Sequence, residues 1–286
     1  MKFTLERRKD HETIYGQRLF TADRDSQKAV QRLCSIQADL KTFAAHGVYG
    51  MSVITSVVAE NTCGVVSRQD ILPEIVRDQI AAVFEDIRVD AVKIGMLSGV
   101  ACMQAVAEGL RRYRPGKIVI DPVMVAKGGC ALMQPEALSL FIEEILPQAY
   151  LLTPNIPEAE AITSQPIRSV TDMKRAAEQI FRLGAKHVLV KGGHLAEEAA
   201  DVLFDGRCHR VYVRERIQTP HTHGTGCTLS SAITACLAKE RSVPEAIEEG
   251  KAYITEAIRH GLAIGRGHGP VDHFYHFTGT DSPAAH

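Results

Sequence analysis

The chain has 286 residues, of which 45% are hydrophobic and 23% charged, and its formal net charge at pH 7 is −1. This length and composition are ordinary for one large α/β domain of a globular protein. The near-zero charge excludes a basic surface for nucleic acid over the whole chain, and no apolar run has the length of a membrane-spanning helix.

Cysteine and histidine usage limits the class of protein further. The seven cysteines and twelve histidines lack the paired spacing of a zinc site, and an odd number of cysteines argues against a disulfide framework. The first residues contain no apolar core, so they are not typical of a signal peptide. We therefore expect a cytoplasmic protein with reduced thiols and no nucleic-acid or membrane partner.

The N-terminal segment, residues 1–35, differs from the rest of the chain. It is charged, has few apolar residues, and contains neither a buried strand pattern nor a glycine cluster. We expect this atypical segment to be poorly ordered and residues 36–286 to form a single domain.

From residue 36 onwards, short apolar runs alternate with helical patterns. We predict helices at residues 36–47, 73–86, 100–113, 135–146, 157–163, 171–183, 228–238 and 243–263, with Thr171 as an N-cap. We predict buried strands at residues 51–62, 91–95, 117–121, 149–155 and 186–194. The alternation predicts that these strands form one parallel sheet, with right-handed crossovers and helices on both faces.

Residues 201–213 do not follow this alternation. They contain two strand patterns on either side of Asp205 and Gly206, a dipeptide that is typical of a tight hairpin. We therefore predict a small antiparallel edge on the otherwise parallel sheet.

A glycine-rich turn precedes the helix predicted at residues 228–238. Gly224 and Gly226 flank Thr225, and Cys227 follows them. Backbone N–H groups and the dipole at the start of a helix favour an anion, and they also favour a thiolate. We interpret the turn as an oxyanion hole for a transferring phosphoryl group, with a base beside it. The alternative is a glycine-capped turn with one buried cysteine.

Polar residues follow the carboxyl ends of the predicted strands, where open α/β sheets bind ligands. Asp121, Asn155 and Glu158 offer oxygen ligands for hydrated Mg²⁺, and Lys191 offers positive charge for phosphate. Each has a simpler interpretation: Asp121 as a strand-end cap, Asn155 with Glu158 as a capping box, Lys191 as a solvated strand end, and Lys251 as a surface lysine. Their coincidence at one edge of the sheet favours a phosphate-and-metal site.

Seven ordered motifs connect the chain with a known family. They are IQADLKTFAAHGVYGMSVIT, VKIGMLS, VIDPVMVAKGG, LLTPNIPEAEAIT, VLVKGGHL, THGTGCTLSSAI and GHGPVDHF. On these motifs, residues 36–277 resemble the hydroxymethylpyrimidine/phosphomethylpyrimidine kinases of thiamine biosynthesis, in the ribokinase-like superfamily. The resemblance implies a ribokinase-like three-layer α/β/α sandwich with a mostly parallel central sheet, usually in a homodimer.

The resemblance also implies an activity and the residues that perform it. With ATP as the phosphoryl donor and Mg²⁺ as the metal ion, the protein would phosphorylate 4-amino-5-hydroxymethyl-2-methylpyrimidine and then its monophosphate. The implied catalytic and anion-binding residues are Cys227, which matches the base, and Gly224, Thr225, Gly226 and Lys191. The implied metal ligands are Asp121, Asn155 and Glu158. The implied contacts of the pyrimidine are Glu60, Met96 and Val123, and those of ATP are Lys191, Thr225 and Lys251.

Two features depart from the family pattern. The family begins with a buried strand and a glycine-rich turn directly before IQADLKT, and both are missing here, which puts the first strand in doubt. Glu60 stands where the family usually has Gln, and an ionised Glu offers only hydrogen-bond acceptors. Two other functions therefore stay open: a pyridoxal-type vitamin kinase of the same superfamily, and a catalytically degenerate homologue that only binds ligands or serves as a structural subunit.

Overall fold

The structure of the protein is a computed structural model that describes residues 36–125, 132–193 and 199–277. The atypical N-terminal segment lies outside the described residues, as do residues 126–131 and 194–198, which include parts of two motifs. Within the described ranges, no helix is long and apolar enough to cross a membrane.

Helices and strands alternate along the described chain. The helices are α1 (Ile36–Ala45), α2 (Pro73–Phe84), α3 (Val100–Tyr113), α4 (Pro135–Leu140), α5 (Ile156–Thr163), α6 (Val170–Arg182), α7 (Thr225–Ala238) and α8 (Val243–Arg259). The strands are β1 (Ser56–Asn61), β2 (Gly64–Asp70), β3 (Val92–Ile94), β4 (Ile118–Ile120), β5 (Leu151–Leu152), β6 (Val188–Val190), β7 (Ala199–Phe204) and β8 (His209–Arg214). After α4, the chain continues through a π-helical turn at Phe141–Ile145 and a 3-10 turn at Leu146–Gln148.

The larger of two sheets has the strand order β3-β4-β5-β6-β7-β8. Strands β3 to β6 pair in parallel, whereas β7 pairs antiparallel with both β6 and β8. In the turn between β7 and β8, Gly206 has a φ of 88°, a conformation that a residue without a Cβ adopts easily. The predicted hairpin is therefore confirmed, and so is the prediction of a mostly parallel sheet with an antiparallel edge.

Different helices cover the two faces of this sheet. In β4, Ile118 and Ile120 belong to the core that includes α2 to α6, whereas Val119 between them packs with α7 and α8. Because the parallel strands follow one another in sheet order, right-handed crossovers place their connecting helices on the same face. Helices α7 and α8 come after the hairpin and cover the opposite face. The protein is thus the three-layer α/β/α sandwich that was predicted.

The strand predicted at residues 51–62 was wrongly placed in the parallel sheet. It is shorter, and it pairs with β2 in a separate two-stranded antiparallel sheet. The sequence did not indicate β2 because most of its side chains are exposed and show no apolar alternation. The pairing register shifts between Ala59 and Glu60, a bulge of the kind that redirects side chains. Glu60 is buried there although its side chain is a carboxylic acid.

The N-cap of α6 is Ser169 and not the predicted Thr171. Ser169 Oγ accepts a hydrogen bond from Asp172 N at 3.1 Å and donates to Asp172 Oδ2 at 2.8 Å. Serine and threonine are both common caps, and Ser169 lies directly before the first residue of α6. The hydrogen bond selects the serine, and Thr171 lies inside the first turn.

Other helix boundaries also differ from their predictions, and α4 ends as an α-helix at Leu140 instead of residue 146. Helix α7 begins at Thr225, earlier than the predicted residue 228, because Gly224 is its N-cap. Helix α8 ends at Arg259, before the predicted residue 263. The earlier start of α7 places the whole glycine-rich turn at the helix terminus.

The cap of α6 offers a test of these bounds. Ser169→Ala removes the hydrogen-bond acceptor of the cap, and we expect it to lower the free energy of unfolding by about 1 kcal/mol. Thr171→Ala is the matched control, and we expect it to change that free energy by less than about 0.5 kcal/mol. Urea unfolding of both variants measures the difference. An equal loss in the two variants would contradict the assignment of the cap to Ser169.

Candidate active site

The residues predicted for the site come together in one cavity of about 1210 Å³. It lies at the carboxyl ends of β3 to β6 and at the N-terminus of α7, where open α/β sheets bind ligands. The predicted residues that line this cavity are Glu60, Met96, Asp121, Val123, Asn155, Glu158, Lys191, Gly224, Thr225, Gly226, Cys227 and Lys251.

The N-terminus of α7 opens onto the cavity. Gly224 is the N-cap and has a left-handed φ of 83°, a conformation that favours glycine. Thr225, Gly226 and Cys227 form the first turn, and the backbone hydrogen bond from Thr228 N to Gly224 O, at 2.9 Å, follows them. N–H groups in the first turn of a helix carry the positive end of its dipole, so this terminus suits an anion.

A buried ion pair lies beside this terminus. Lys191 Nζ donates to Asp121 Oδ1 at 2.5 Å, and the hydroxyls of Thr153 and Ser230 lie 3.3 and 3.4 Å from the same carboxylate. A Cβ on Gly226 would lie 3.5 Å from Lys191 Nζ and 3.6 Å from Asp121 Oδ2, so the pair is next to the first turn of α7. The Lys191 side chain is only 13% exposed, and its interpretation as a solvated strand end is therefore wrong.

Each member of this pair shifts the pKa of the other towards its charged form. Burial alone raises the pKa of Asp121, but Lys191 and then Lys93 lower it below its ordinary value. Burial alone lowers the pKa of Lys191, but Asp121 and then Glu158 raise it above its ordinary value. Both groups are therefore charged at neutral pH, and Lys191 can meet an anionic ligand without first taking up a proton.

Asn155 and Glu158 form the predicted capping box at the start of α5. Asn155 Oδ1 accepts from Glu158 N at 2.9 Å, and Glu158 Oε2 accepts from Asn155 N at 2.8 Å. Burial raises the pKa of Glu158 to about 7, with Lys191 acting against this shift and Asp121 adding to it. The capping interpretation is confirmed, and the Glu158 carboxyl group also borders the cavity.

A second buried ion pair, which the sequence analysis missed, contacts α7 through Ser231. Lys93 Nζ donates to the two oxygens of Asp39 at 3.0 and 2.9 Å, and Ser231 Oγ donates to Asp39 Oδ1 at 2.7 Å. Only 2% of the Lys93 side chain and 9% of the Asp39 side chain are exposed. The sequence signal was Asp39, a carboxylate beside the apolar residues of α1. A buried carboxylate needs a positively charged or hydrogen-bonding partner.

Lys251 is buried and is not the surface lysine of the simpler interpretation. Its Nζ donates to Asp201 Oδ2 at 2.6 Å, and Asp201 Oδ1 accepts from Gly192 N at 2.9 Å. A Cβ on Gly192 would come within 2.0 Å of Ala200 O, so only glycine fits this turn. Asp201, another residue that sequence reasoning missed, thus connects α8 with the turn that follows Lys191. Its signal was a single carboxylate within the apolar pattern of β7.

Three predicted residues line the cavity but take no part in its buried ion pairs. Glu60 comes from β1 and is 8% exposed, whereas Met96 and Val123 follow β3 and β4 and are half-buried. Thr55 Oγ1 donates to Met96 O at 3.5 Å, a contact between the chain before β1 and the end of β3. Two apolar side chains and one carboxylate suit a flat ring that carries a hydrogen-bond donor.

The described residues contain no group of three or more His, Cys, Asp or Glu side chains placed to hold a metal ion. A closed protein site for a metal is therefore not present in this part of the chain. Mg²⁺ that binds together with nucleotide phosphates needs only one or two carboxylates and keeps several waters. Asp121 and Glu158 offer two such carboxylates, and they are close enough that the charge of Asp121 raises the pKa of Glu158.

Comparisons with known proteins agree with this geometry. The family model described as phosphomethylpyrimidine kinase matches residues 34–272. The hydroxymethylpyrimidine/phosphomethylpyrimidine kinase of Bacillus subtilis is 46% identical over 241 residues, which cover 84% of this chain and 89% of that relative.

Solved structures are similar in both fold and sequence. The crystal structure of phosphomethylpyrimidine kinase from Clostridium difficile has a TM-score of 0.71 at 51% identity, and the match covers 78% of this chain and 92% of that one. The structure of an ADP complex of Bacillus subtilis pyridoxal kinase has a TM-score of 0.78 at 39% identity, over 84% of this chain and 92% of that one.

The raised pKa of Glu158 predicts a pH-dependent stability. Because the pKa rises from 4.5 to about 7 on folding, the native protein holds a proton that the unfolded chain releases, and this contribution is lost as the pH rises from 4.5 through 7. Glu158→Gln keeps the neutral form at every pH. We expect it to match the parent at pH 5 and to exceed it at pH 8 by about 2 kcal/mol in free energy of unfolding.

The capping box of α8 supplies the control for this experiment. Glu245 accepts from Ser242 N at 2.9 Å in the same arrangement, but the Ser242 hydroxyl and N–H lower the pKa of this exposed carboxyl group. We expect Glu245→Gln to show no gain at pH 8. Urea unfolding at pH 5 and pH 8 measures both variants, and equal responses would contradict the proposed proton on Glu158.

Proposed function

Because the chain belongs to the phosphomethylpyrimidine kinase family, we propose that it transfers a phosphoryl group from ATP to 4-amino-5-hydroxymethyl-2-methylpyrimidine. A second transfer to the monophosphate gives the pyrimidine diphosphate used in thiamine diphosphate biosynthesis. The observation that carries this proposal is the Lys191–Asp121 pair beside Gly226, in one cavity with Cys227.

The proposed chemistry begins with the substrate hydroxyl. The thiolate of Cys227 accepts the hydroxyl proton, and the resulting alkoxide oxygen attacks the γ-phosphorus of ATP. The bond to the β–γ bridging oxygen breaks, so the products are the phosphate ester, ADP and the protonated thiol. This transfer needs positioning and charge stabilisation more than covalent help from the protein.

Charge on the transferred group is stabilised by residues already in place. First-turn N–H groups of α7, at Gly226 and Cys227, face the phosphoryl oxygens, and Lys191 adds a positive charge. Asp121 and Glu158, with Asn155 beside them, would hold Mg²⁺ bound to the phosphates, which supplies further neutralisation of their charge. Thr225 and Lys251 line the same cavity and are the proposed contacts of ATP.

Glu60, Met96 and Val123 would hold the pyrimidine. The apolar side chains contact the ring faces, and the Glu60 carboxylate accepts from the exocyclic amino group. A neutral ring nitrogen next to that amino group is a hydrogen-bond acceptor. An ionised carboxylate is also only an acceptor, so the two cannot form a hydrogen bond without a proton between them. We therefore propose that Glu60 and the ring nitrogen share a proton in the complex.

A pyridoxal-type kinase is a second candidate function. The structural similarity to pyridoxal kinase and the Glu60 substitution both favour it. A degenerate homologue without turnover is the third candidate, and activity assays with both substrates separate all three.

We also propose a homodimer in the cytoplasm. The family resemblance supports this assembly, and so do the exposed apolar side chains near the β1–β2 hairpin, including Val57, Val66, Leu72 and Ile75. Sedimentation equilibrium of the purified chain measures its mass directly.

The first activity test uses release of ADP. With Mg²⁺, ATP and the hydroxymethylpyrimidine, we expect turnover that falls by a factor of about 10² to 10⁴ in Cys227→Ala, because the base is lost. Cys208→Ala removes an exposed thiol on the β7–β8 hairpin and is expected to keep parental turnover. Absence of turnover with this substrate in the folded parent would contradict the proposed function, and turnover with pyridoxal alone would favour the second candidate.

The second test concerns the ring-binding end. Because the shared proton is lost at high pH, we expect the KM of the parent for the aminopyrimidine to rise between pH 6 and pH 9. Glu60→Gln offers both a donor and an acceptor, so we expect its KM to stay level and to be about tenfold lower than that of the parent at pH 9. Steady-state kinetics measure both profiles, with an analogue lacking the amino group as control. Parallel profiles would contradict the role of Glu60.

A further inference from the structure

One buried cation near Cys227 has no part in the proposed chemistry. Cys227 and Ser231 are four residues apart on α7 and therefore lie on the same face of the helix. Ser231 donates to Asp39, and Asp39 binds the Lys93 ammonium group through both oxygens. The Lys93–Asp39 pair is thus attached to α7 one turn further along the helix from the thiol.

Lys93 and Cys227 also interact through their charges. Burial alone lowers the pKa of Lys93, but Asp39, then Cys227 and then Asp121 raise it above its ordinary value. Lys93 is therefore protonated over the whole working range of an enzyme. The interaction is mutual, so a fixed ammonium group that is favoured by a thiolate also favours that thiolate.

We infer that Lys93 is a positioning residue for Cys227, whose buried ammonium group stabilises the thiolate while Asp39 and Ser231 hold that group in place. This inference rests on the proposed role of Cys227 as the base. It adds a second ammonium group to that role, because Cys227 also raises the pKa of Lys191, which is bound to Asp121.

Other charged and titratable groups border the same region from several elements. They are Asp39 on α1, Asp121 after β4, Glu158 on α5, Lys191 after β6 and His223 before α7. Lys191 is bound to Asp121 and, in the proposed reaction, to the phosphate. Lys93 is instead bound to Asp39, and only 2% of its side chain is exposed.

Alkylation of Cys227 by iodoacetamide tests the inference without any kinase assay. The full chain, free of metal and nucleotide, is treated between pH 5 and pH 9, and mass spectrometry follows the peptide that contains Cys227. In Lys93→Met we expect the rate at pH 7 to fall about tenfold, with the whole profile moved to higher pH. A role of Lys93 in packing alone would leave this pH profile in place.

Two further variants keep the test decisive. Lys117→Met removes a partly buried lysine at the opposite end of β4, paired with Glu240, and is expected to keep the parental profile. Lys93→Met leaves the Asp39 carboxylate buried without a counter-charge, which destabilises the fold. The double variant Lys93→Met/Asp39→Asn removes both charges, and thermal unfolding shows whether it is folded. We expect a loss of at least about threefold at pH 7 there too. A parental profile in the folded double variant overturns the inference.

The same experiment separates this inference from the proposed function. A shifted alkylation profile together with absent turnover on either substrate supports the effect of Lys93 on the thiol and contradicts the kinase proposal. An unshifted profile together with full turnover overturns the role of Lys93 and leaves the kinase proposal intact.

Discussion

The position of α7 depends on buried ion pairs that reach it from other parts of the chain. Ser230 contacts Asp121 of one pair, and Ser231 contacts Asp39 of the other. Moving an ion out of water costs several kcal/mol, so a buried lysine is stable there only because its carboxylate partner is present. The N-terminus of α7, the proposed anion site, therefore depends on charges that come from α1 and from the sheet strands.

These pairs place charge in the cavity before any ligand arrives. Lys93 and Asp39 join β3 with α1, and the pair of Lys251 with Asp201 joins α8 with β7. Charges held by the fold stabilise a transition state better than charges that must first be ordered. The interactions that keep the layers in register are thus the same ones that make the cavity suitable for phosphoryl transfer.

The two ends of the cavity are built differently. The end proposed to bind phosphate lies on the parallel sheet and α7, which share the main cores of the protein. The end proposed to bind the ring includes Glu60 on β1, in a small separate sheet with a bulge beside that residue. Glu60 thus comes from a different sheet from the strands that carry the buried ion pairs.

The sequence by itself determined the features that depend on neighbouring residues. Apolar periodicity located the helices and strands from residue 36 onwards, the Asp205-Gly206 dipeptide located the hairpin, and Asn155 with Glu158 indicated the capping box. Polar residues at strand ends also located the cavity, because parallel strands bring their carboxyl ends to one edge.

Only the tertiary structure decided which distant residues become partners. Lys93 and Asp39 are 54 residues apart, Lys251 and Asp201 are 50 apart, and Lys191 and Asp121 are 70 apart. No local pattern encodes such a pairing, and a lone lysine in the sequence looks the same whether it is solvated or buried. The antiparallel partner of β1 escaped prediction for the related reason that β2 is mostly exposed and lacks an apolar period. Burial, which selects these contacts, exists only once the layers have packed.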